Sequence, residues 1–302
     1  MTGYASRLIA ELRGTESGPT VIVVGGTHGN EPAGIAAARA ALAGLDPGAV
    51  RGELVALIGN LRAGAVGRRC LTHDLNRLWT AERMAVAHAA AAAHGDEEPE
   101  LYELVELCDA IERAIQRARG PVFVLDLHTT SADGFPFAVV GPTPEHRRFA
   151  EAFPLPGIVG LEEALVGTLT SYFARRGCVT LAVEGGQSAS AAAIENLIAV
   201  ITIALEASGL VASVPGAAAA RAHLAGTRGD LPAMIEVASR HPVRPEHHFR
   251  MEPGFANLQR TAAGTLLARD YTGEIRAPFD GVVLLPLYQP EGADGFFYGR
   301  PA

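Results

Sequence analysis

The chain has 302 residues, 48% of them hydrophobic and 19% charged, which is the composition of an ordinary globular protein and excludes a disordered one. Its formal net charge of −8 argues against nucleic acid and against an anionic membrane as partners. All 25 basic residues are arginine. The absence of lysine excludes a biotinyl or lipoyl carrier, because such a carrier needs a lysine to modify.

Four short apolar runs alternate with helical patterns over the first two thirds of the chain. The runs lack polar alternation, which is typical of strands buried on both faces of a parallel-rich sheet. These runs cover residues 20–26, 53–59, 121–127 and 178–184. Helical patterns cover residues 32–44, 100–119 and 190–207. Residues 88–99 should form a helix end and an exposed acidic loop. The pattern predicts an α/β fold with a mixed, largely parallel sheet flanked by helices.

The sequence changes character from about residue 210. Short apolar runs broken by Gly and Pro predict strands joined by tight turns. These runs lie at residues 264–268, 274–278 and 281–285. We therefore predict a larger domain of residues 1–210 and a smaller β-rich domain of residues 211–302.

The cysteines and the N-terminal residues bear on the compartment. Cys70, Cys108 and Cys178 are odd in number and form no CxxC pair, which is typical of free thiols in a reducing cytoplasm. Arg7 and Glu11 interrupt any apolar run near the N-terminus, so no signal peptide is predicted. No run reaches the roughly 18 apolar residues of a membrane-spanning helix. We therefore expect a cytoplasmic protein with no membrane partner.

Ligand-type side chains follow the ends of three predicted strands. His28 and Glu31 come after the first, His128 ends the third and Glu184 ends the fourth. Because ligands bind at the carboxyl ends of strands in open α/β sheets, we expect these residues to converge. Two histidines and a glutamate form a known catalytic zinc set, so His28, Glu31 and His128 predict one zinc ion per chain. Glu184 is then free to accept a proton from water and pass it to a leaving amine.

Two further features each leave two interpretations open. Asp126 lies two residues before His128 on the same strand face, where it could orient an imidazole or simply cap a loop. Arg69, Asn76 and Arg77 lie in the stretch RRCLTHDLNR. Arginine binds carboxylates with two hydrogen bonds, and an adjacent asparagine adds directional ones. The stretch is therefore either a carboxylate-binding segment or a solvated loop.

Four sequence blocks occur in order over roughly residues 20–205: GGTHGNE, DLNR, LDLHTT and VEGGQ. Together they resemble the aspartoacylase and succinylglutamate desuccinylase family, within the zinc carboxypeptidase (M14-like) superfamily. The resemblance implies that His28, Glu31 and His128 bind zinc and that Glu184 is the general acid and base. It also implies a zinc carboxypeptidase-like fold whose C-terminal β-domain narrows access to the active site.

The same resemblance suggests roles for the arginine-rich stretch. Arg69 matches the arginine that polarises the scissile carbonyl, and Asn76 and Arg77 match the pair that binds the acyl side or the carboxylate of the substrate. Members hydrolyse N-acyl amino acids, so we expect a zinc-dependent amidohydrolase acting on a small N-acyl amino acid. The alternative is a metallocarboxypeptidase that releases a C-terminal residue from a peptide. A homodimer is compatible with the sequence.

The chain departs from the aspartate-specific members of that family at two positions. Their arginine about ten residues before the base falls here on Ala174, with Arg175 and Arg176 beside it. Their C-terminal tyrosine is matched only loosely, by Tyr288 or Tyr298. We expect Arg175, Arg176 and Tyr288 to contact the substrate, but specificity for N-acetylaspartate does not follow.

Overall fold

The structure of the protein, a computed structural model, describes residues 6–93, 98–188, 190–289 and 292–302. The helices are α1 (Ala33–Leu42), α2 (Leu61–Val66), α3 (Ala81–Ala93), α4 (Pro99–Arg117), α5 (Pro144–Ala150), α6 (Leu161–Ala164), α7 (Leu169–Ala174), α8 (Ala191–Ala207) and α9 (Ala217–Arg228). The strands are β1 (Leu8–Arg13), β2 (Thr20–Gly25), β3 (Glu53–Ile58), β4 (Val122–Thr130), β5 (Phe137–Val140), β6 (Gly157–Val159), β7 (Val179–Gln187), β8 (Met234–Pro242), β9 (Arg250–Met251), β10 (Gln259–Thr261), β11 (Leu266–Asp270), β12 (Gly273–Arg276), β13 (Gly281–Leu284) and β14 (Asp294–Pro301).

Eleven of the described strands form one mixed sheet, in the order β1-β3-β2-β4-β7-β5-β6-β8-β14-β13-β10. The pairs β3–β2, β2–β4 and β4–β7 are parallel, and so are β5–β6 and β6–β8. The other pairs, including β5–β7 and those at both ends of the sheet, are antiparallel. The α/β fold class is confirmed. The four predicted apolar runs are the parallel strands β2, β3, β4 and β7.

The central strands are buried on both faces because helices cover both. Along β2, alternate side chains point to opposite faces of the sheet. Val21 and Val23 join the core that contains residues of α1 and α8, whereas Ile22 and Val24 join the core that contains residues of α4 and α7. All four valine and isoleucine side chains have an exposure of 0%. This two-sided burial accounts for the uninterrupted apolar run in the sequence.

The C-terminal part is β-rich, as predicted, and its strands pair with one another in antiparallel fashion. The runs predicted at residues 264–268, 274–278 and 281–285 correspond to β11, β12 and β13. β11 and β12 form a separate three-stranded sheet with β9. β13 instead pairs with β14, which pairs with β8, and these strands extend the large sheet beyond β6.

The predicted domain boundary near residue 210 coincides with no break in the described sheet or core. Leu210, Val211 and Leu224 lie in the same core as residues of α1 and α8. Leu224 belongs to α9, a helix that the sequence analysis did not predict and that packs against α8. The core of the larger predicted domain therefore includes α9, and the antiparallel strands begin after it, at β8.

Two other sequence expectations concern the surface of the protein. Helix α3 ends at Ala93 and α4 begins at Pro99. Most of the acidic loop predicted between them, residues 94–97, lies outside the described residues. No helix within the described ranges is long and apolar enough to cross a membrane.

Candidate active site

The turn after β2 holds His28 and Glu31, which are only 5% and 4% exposed. Gly26 begins the turn in a left-handed backbone conformation, with a φ angle of 73°, which glycine adopts without strain. At Gly29, a Cβ atom would lie 2.2 Å from the backbone carbon of Ala63 in α2. Glycine is therefore required for this turn to pack against α2, and the packing fixes where the two side chains lie.

Strands β4 and β7 position His128 and Glu184 on one face of the sheet. The two residues are direct partners in the parallel register, close to the carboxyl ends of both strands. The backbone amide of Thr129 donates a hydrogen bond to Oε2 of Glu31 at 3.0 Å, which joins β4 to the turn after β2. The convergence predicted from the strand ends is therefore observed.

Three buried side chains form the ligand group: His28, Glu31 and His128. Nδ1 of His28 lies 2.7 Å from Oε1 of Glu31, and Nδ1 of His128 lies 3.1 Å from Oε2 of the same carboxylate. Ligand atoms from all three residues lie within 4.8 Å of one another. Two imidazoles and one carboxylate are a ligand set of catalytic zinc sites. The donor set therefore fits a zinc ion, which these three residues would hold.

A second carboxylate lies behind each imidazole. Nε2 of His28 lies 3.1 Å from Oδ1 of Asp74, and Nε2 of His128 lies 2.9 Å from Oδ2 of Asp126. Each ring thus directs Nδ1 toward Glu31 and Nε2 toward an outer carboxylate, which is how metal-binding histidines are held in orientation. Of the two interpretations of Asp126, the contact with His128 favours the orienting one.

The surrounding charges shift the ionisation of the ligand group. Burial alone would raise the pKa of Glu31, but its attraction to His28 and His128 is stronger and lowers that pKa. Burial alone would lower the pKa of His128, but Asp126 and Glu31 raise it well above its ordinary value. Three carboxylates around two imidazoles favour an added positive charge, and a metal ion would supply one.

Glu184 lies beside the ligand group and has one oxygen to spare. Its Oε2 atom is buried and has no hydrogen-bond partner in the part of the chain that the structure describes. Burial raises the pKa of Glu184 to about 7, with a smaller contribution from the negative charge of Glu31 and opposition from His128. A carboxyl group with a pKa near neutrality can both accept and donate a proton at pH 7.

Arg69 is attached to the ligand group by both its backbone and its side chain. Its carbonyl oxygen accepts a hydrogen bond from the amide of Gly29 at 3.1 Å. Its Nη2 atom lies 2.8 Å from Oδ2 of Asp74, and its Nη1 atom lies 3.5 Å from Oε1 of Glu31. The guanidinium group is therefore held at the edge of the candidate zinc site.

Asn76 and Arg77 lie in a short 3-10 turn, Leu75–Arg77, at the same site. Oδ1 of Asn76 accepts a hydrogen bond from the amide of Leu169 at 2.8 Å, and its Nδ2 atom lies 3.3 Å from Nε2 of His128. Nη1 of Arg77 donates to the carbonyl of Asn76 at 2.9 Å, and its Nη2 atom lies 3.7 Å from Oδ2 of Asp294. The protein thus anchors Asn76 through its Oδ1 atom, whereas its Nδ2 atom and Arg77 retain donors that a substrate could use.

The sequence analysis missed the residue that holds this segment. Glu100, in the first turn of α4, is fully buried and accepts hydrogen bonds from the backbone amides of Leu71, Thr72 and His73. Nδ2 of Asn60 also donates to it, at 3.3 Å. Burial opposes ionisation of Glu100, but these hydrogen bonds are stronger in sum and lower its pKa. An acidic residue in a first helical turn is common, so the position of Glu100 in the sequence does not indicate this role.

The ligand group and the side chains of Arg69, Asp74, Asn76, Arg77 and Glu184 line one cavity of about 150 Å³. The polar lining from the first two thirds of the chain includes His28, Glu31, Arg69, Asp74, Asn76, Arg77, His128, Glu162 and Glu184. The C-terminal part closes another side with Leu285, Pro286, Leu287, Gln289, Gly292, Ala293, Asp294 and Phe297. Both parts of the chain therefore contribute to one small site. Glu162 and Asp294 are residues that the sequence analysis did not select.

Three predicted substrate-binding residues do not line this cavity. Nε of Arg176 lies 3.1 Å from Oε1 of Glu112, and its guanidinium group stacks on the ring of Tyr172. Arg175 follows the end of α7 and is exposed. The hydroxyl of Tyr288 donates to the carbonyl of Glu252 at 2.7 Å, and it also accepts a hydrogen bond from a backbone amide of the C-terminal part. These contacts occupy Arg176 and Tyr288 within the protein, so the prediction of substrate contact is corrected.

The fold and the ligand group define an α/β protein with a buried candidate metal centre at the carboxyl ends of its parallel strands. Residues 17–206 match the model of the succinylglutamate desuccinylase/aspartoacylase catalytic domain. The chain belongs to this family, which is a family of deacylases. No curated protein sequence matches the chain.

Solved structures agree with this assignment at the level of the fold. A succinylglutamate desuccinylase/aspartoacylase from Rhodobacter sphaeroides has a TM-score of 0.70 at 19% identity, covering 97% of this chain and 88% of its own. The product-bound ectoine utilization protein EutE (DoeB) from Ruegeria pomeroyi has a TM-score of 0.68 at 20% identity, covering 95% and 87%. The succinylglutamate desuccinylase from Chromobacterium violaceum has a TM-score of 0.63 at 19% identity, covering 95% and 85%.

Proposed function

We propose that this chain is a zinc-dependent amidohydrolase that deacylates a small N-acyl amino acid. One observation carries the proposal: a buried His28–Glu31–His128 group converges beside the spare oxygen of Glu184. A bound zinc ion supplies Lewis acidity, which polarises a carbonyl group and makes water a stronger nucleophile at neutral pH. His28, Glu31 and His128 are the residues that would hold the ion.

Glu184 is the residue that we propose to move the proton. With a pKa of about 7, its carboxylate accepts a proton from the water molecule that attacks the amide carbonyl carbon. The resulting carboxylic acid then donates that proton to the nitrogen of the substrate. The C–N bond breaks, and the products are a carboxylic acid and an amino acid with a free amino group.

Arg69 and Arg77 have separate proposed roles. The guanidinium of Arg69, held by Asp74 and Glu31, donates hydrogen bonds to the carbonyl oxygen as negative charge develops on it. Arg77 retains unused donors and binds a substrate carboxylate. Asn76 lines the cavity between the ligand group and Arg77, and its amide orients the substrate.

The size of the cavity favours this reaction over the cleavage of peptides. A metallocarboxypeptidase needs a cleft that is open to an extended chain, whereas here residues 285–287, 289 and 292–294 line one side of a cavity of about 150 Å³. Zinc-loaded protein should therefore hydrolyse N-acetyl amino acids and leave peptides of three or more residues intact. Release of amino acids from peptides alone, measured by amine detection, would contradict the proposal.

A further inference from the structure

One wall of the cavity consists mainly of apolar side chains around a single carboxyl group. We call it the α6 wall. It consists of Glu162 and a set of hydrophobic residues that pack in one cluster: Val139, Leu161, Leu165, Ala182 and Phe297. Ala182 precedes Glu184 by two residues on the same strand face, so this wall continues directly from the proton-transfer residue. The part of a substrate that extends along β7 from the reacting centre meets this wall.

Glu162 is a buried acid with an unused oxygen. The residue is 8% exposed, and its Oε1 atom has no hydrogen-bond partner within the described chain. Burial raises the pKa of Glu162; a hydrogen bond from Thr170 and the charge of Arg175 oppose this without cancelling it. A buried carboxyl group that lacks a full set of partners is costly, so it is a position where a ligand group is expected.

The charged residues that line the cavity also favour a positively charged ligand. Among the described residues that line it, five carboxyl groups face two guanidinium groups. Arg69 is bound to Asp74, and Arg77 lies near Asp294, which is itself bound at 2.5 Å by Arg240. Because Arg240 binds Asp294, Glu162 is the carboxyl group of this set that has neither a bound arginine among the described residues nor a role in the proposed reaction.

We infer that Glu162 binds a positively charged group of the substrate and so selects N-acyl amino acids that carry an ammonium or guanidinium group in addition to their carboxylate. The apolar residues of the α6 wall contact the methylene groups that lead to this cation. The inference rests on the proposed function, because it assigns one end of the substrate of the same site. It makes Glu162 a residue that determines specificity.

Matched substrates test this inference by turnover. Nα-acetylornithine, Nα-acetylnorleucine and Nα-acetylglutamate differ at the end of the amino-acid side chain, whereas N-β-alanylalanine and N-butanoylalanine differ at the end of the acyl chain. In at least one arm, kcat/KM should favour the ammonium substrate over its neutral match by about tenfold or more. The arm with the preference identifies which half of the substrate meets Glu162.

Two variants test whether the carboxylate of Glu162 causes this preference. Glu162→Gln keeps the size of the side chain and should reduce the preference to about twofold, with little change for the neutral substrate. Glu163→Gln is the matched control, because Glu163 is exposed on the same short helix. It should leave the preference unchanged. An unchanged preference in Glu162→Gln would overturn the inference.

Calorimetry with the free products distinguishes failure of this inference from failure of the proposed function. Ornithine should bind more tightly than norleucine, or β-alanine more tightly than butanoate, and Glu162→Gln should remove the difference. If this difference is found but no amide is hydrolysed, the proposed function fails and the inference stands. Equal affinities in both pairs, or no binding of any of the four compounds, would overturn the inference whatever the turnover.

Discussion

The ligand group and the α6 wall line the same cavity but differ in how their charged groups are paired. Around the ligand group, Asp74, Asp126 and Arg69 each contact another ionisable side chain at 2.8–3.1 Å. In the α6 wall, Glu162 has a buried oxygen with no partner among the described residues. Mutual contacts hold the metal-binding histidines in fixed positions, whereas the oxygens of Glu184 and Glu162 that have no partner in the described chain remain available for water and substrate. This difference agrees with our proposal that the ligand group and Glu184 carry out the chemistry and that the α6 wall selects the substrate.

The largest effect should come from the proton-transfer residue. Glu184→Gln preserves the shape of the side chain but cannot accept a proton, so kcat should fall by about 10³-fold while bound zinc is retained. Steady-state kinetics and elemental analysis on the same sample measure both quantities. Activity within about tenfold of the wild type would mean that Glu184 does not move the proton, because tenfold corresponds to only about 1.4 kcal/mol of barrier.

A smaller loss should follow removal of the guanidinium group beside the ligand group. Arg69→Met deletes the donors to the developing oxyanion, so kcat should fall by about 10² to 10³-fold. KM should change less, because the interaction is strongest in the transition state. A variant whose KM rises while kcat is unchanged would instead make Arg69 a residue that binds the ground state.

Arg77 and Arg176 provide a direct test of the corrected site. Arg77→Gln should raise KM by about tenfold through loss of a carboxylate contact. Arg176→Gln should stay within about twofold of the wild type, because Arg176 binds Glu112 and Tyr172 outside the cavity. A larger rise of KM in Arg176→Gln than in Arg77→Gln would instead support Arg176 as a substrate-binding residue.

The smallest effect on the chemistry, but a measurable one on stability, should come from Glu100. The pKa of Glu100 is lowered from 4.5 in the folded protein, so its contribution to folding is present above pH 4.5 and is lost as the pH falls through its folded pKa. Glu100→Gln should lower the free energy of unfolding by about 2 kcal/mol at pH 7 and by less at pH 4. Urea denaturation at the two pH values measures this. An equal loss at both would contradict a role for the ionised carboxylate.

Local sequence patterns predicted the chemistry of the site better than its outer wall. The strands that carry His128 and Glu184 are uninterrupted apolar runs, and the GGTHGNE block fixes its own turn through glycine. Glu162 and Asp294 carry no such signal. They belong to a short helix and to a C-terminal strand, and they reach the cavity only through the pairing of β6, β8 and β14. Long-range strand pairing of this kind cannot be inferred from the periodicity of one segment.

The incorrect predictions of substrate contact for Arg176 and Tyr288 have a related cause. Arg176 and Tyr288 were selected because they lie near family motif positions in the sequence. In the folded chain, Glu112 of α4 binds Arg176, and the carbonyl of Glu252 binds the hydroxyl of Tyr288. Proximity in the sequence did not reveal these competing partners, because they lie 64 and 36 positions away.

The central claim, that His28, Glu31 and His128 hold one catalytic zinc ion, is tested most directly by the zinc content of purified protein. Elemental analysis should find about one zinc ion per chain in the wild type and in Glu184→Gln, and almost none in His128→Ala. Circular dichroism should confirm that the last variant is folded. A folded His128→Ala protein that still holds one zinc ion per chain would contradict the account.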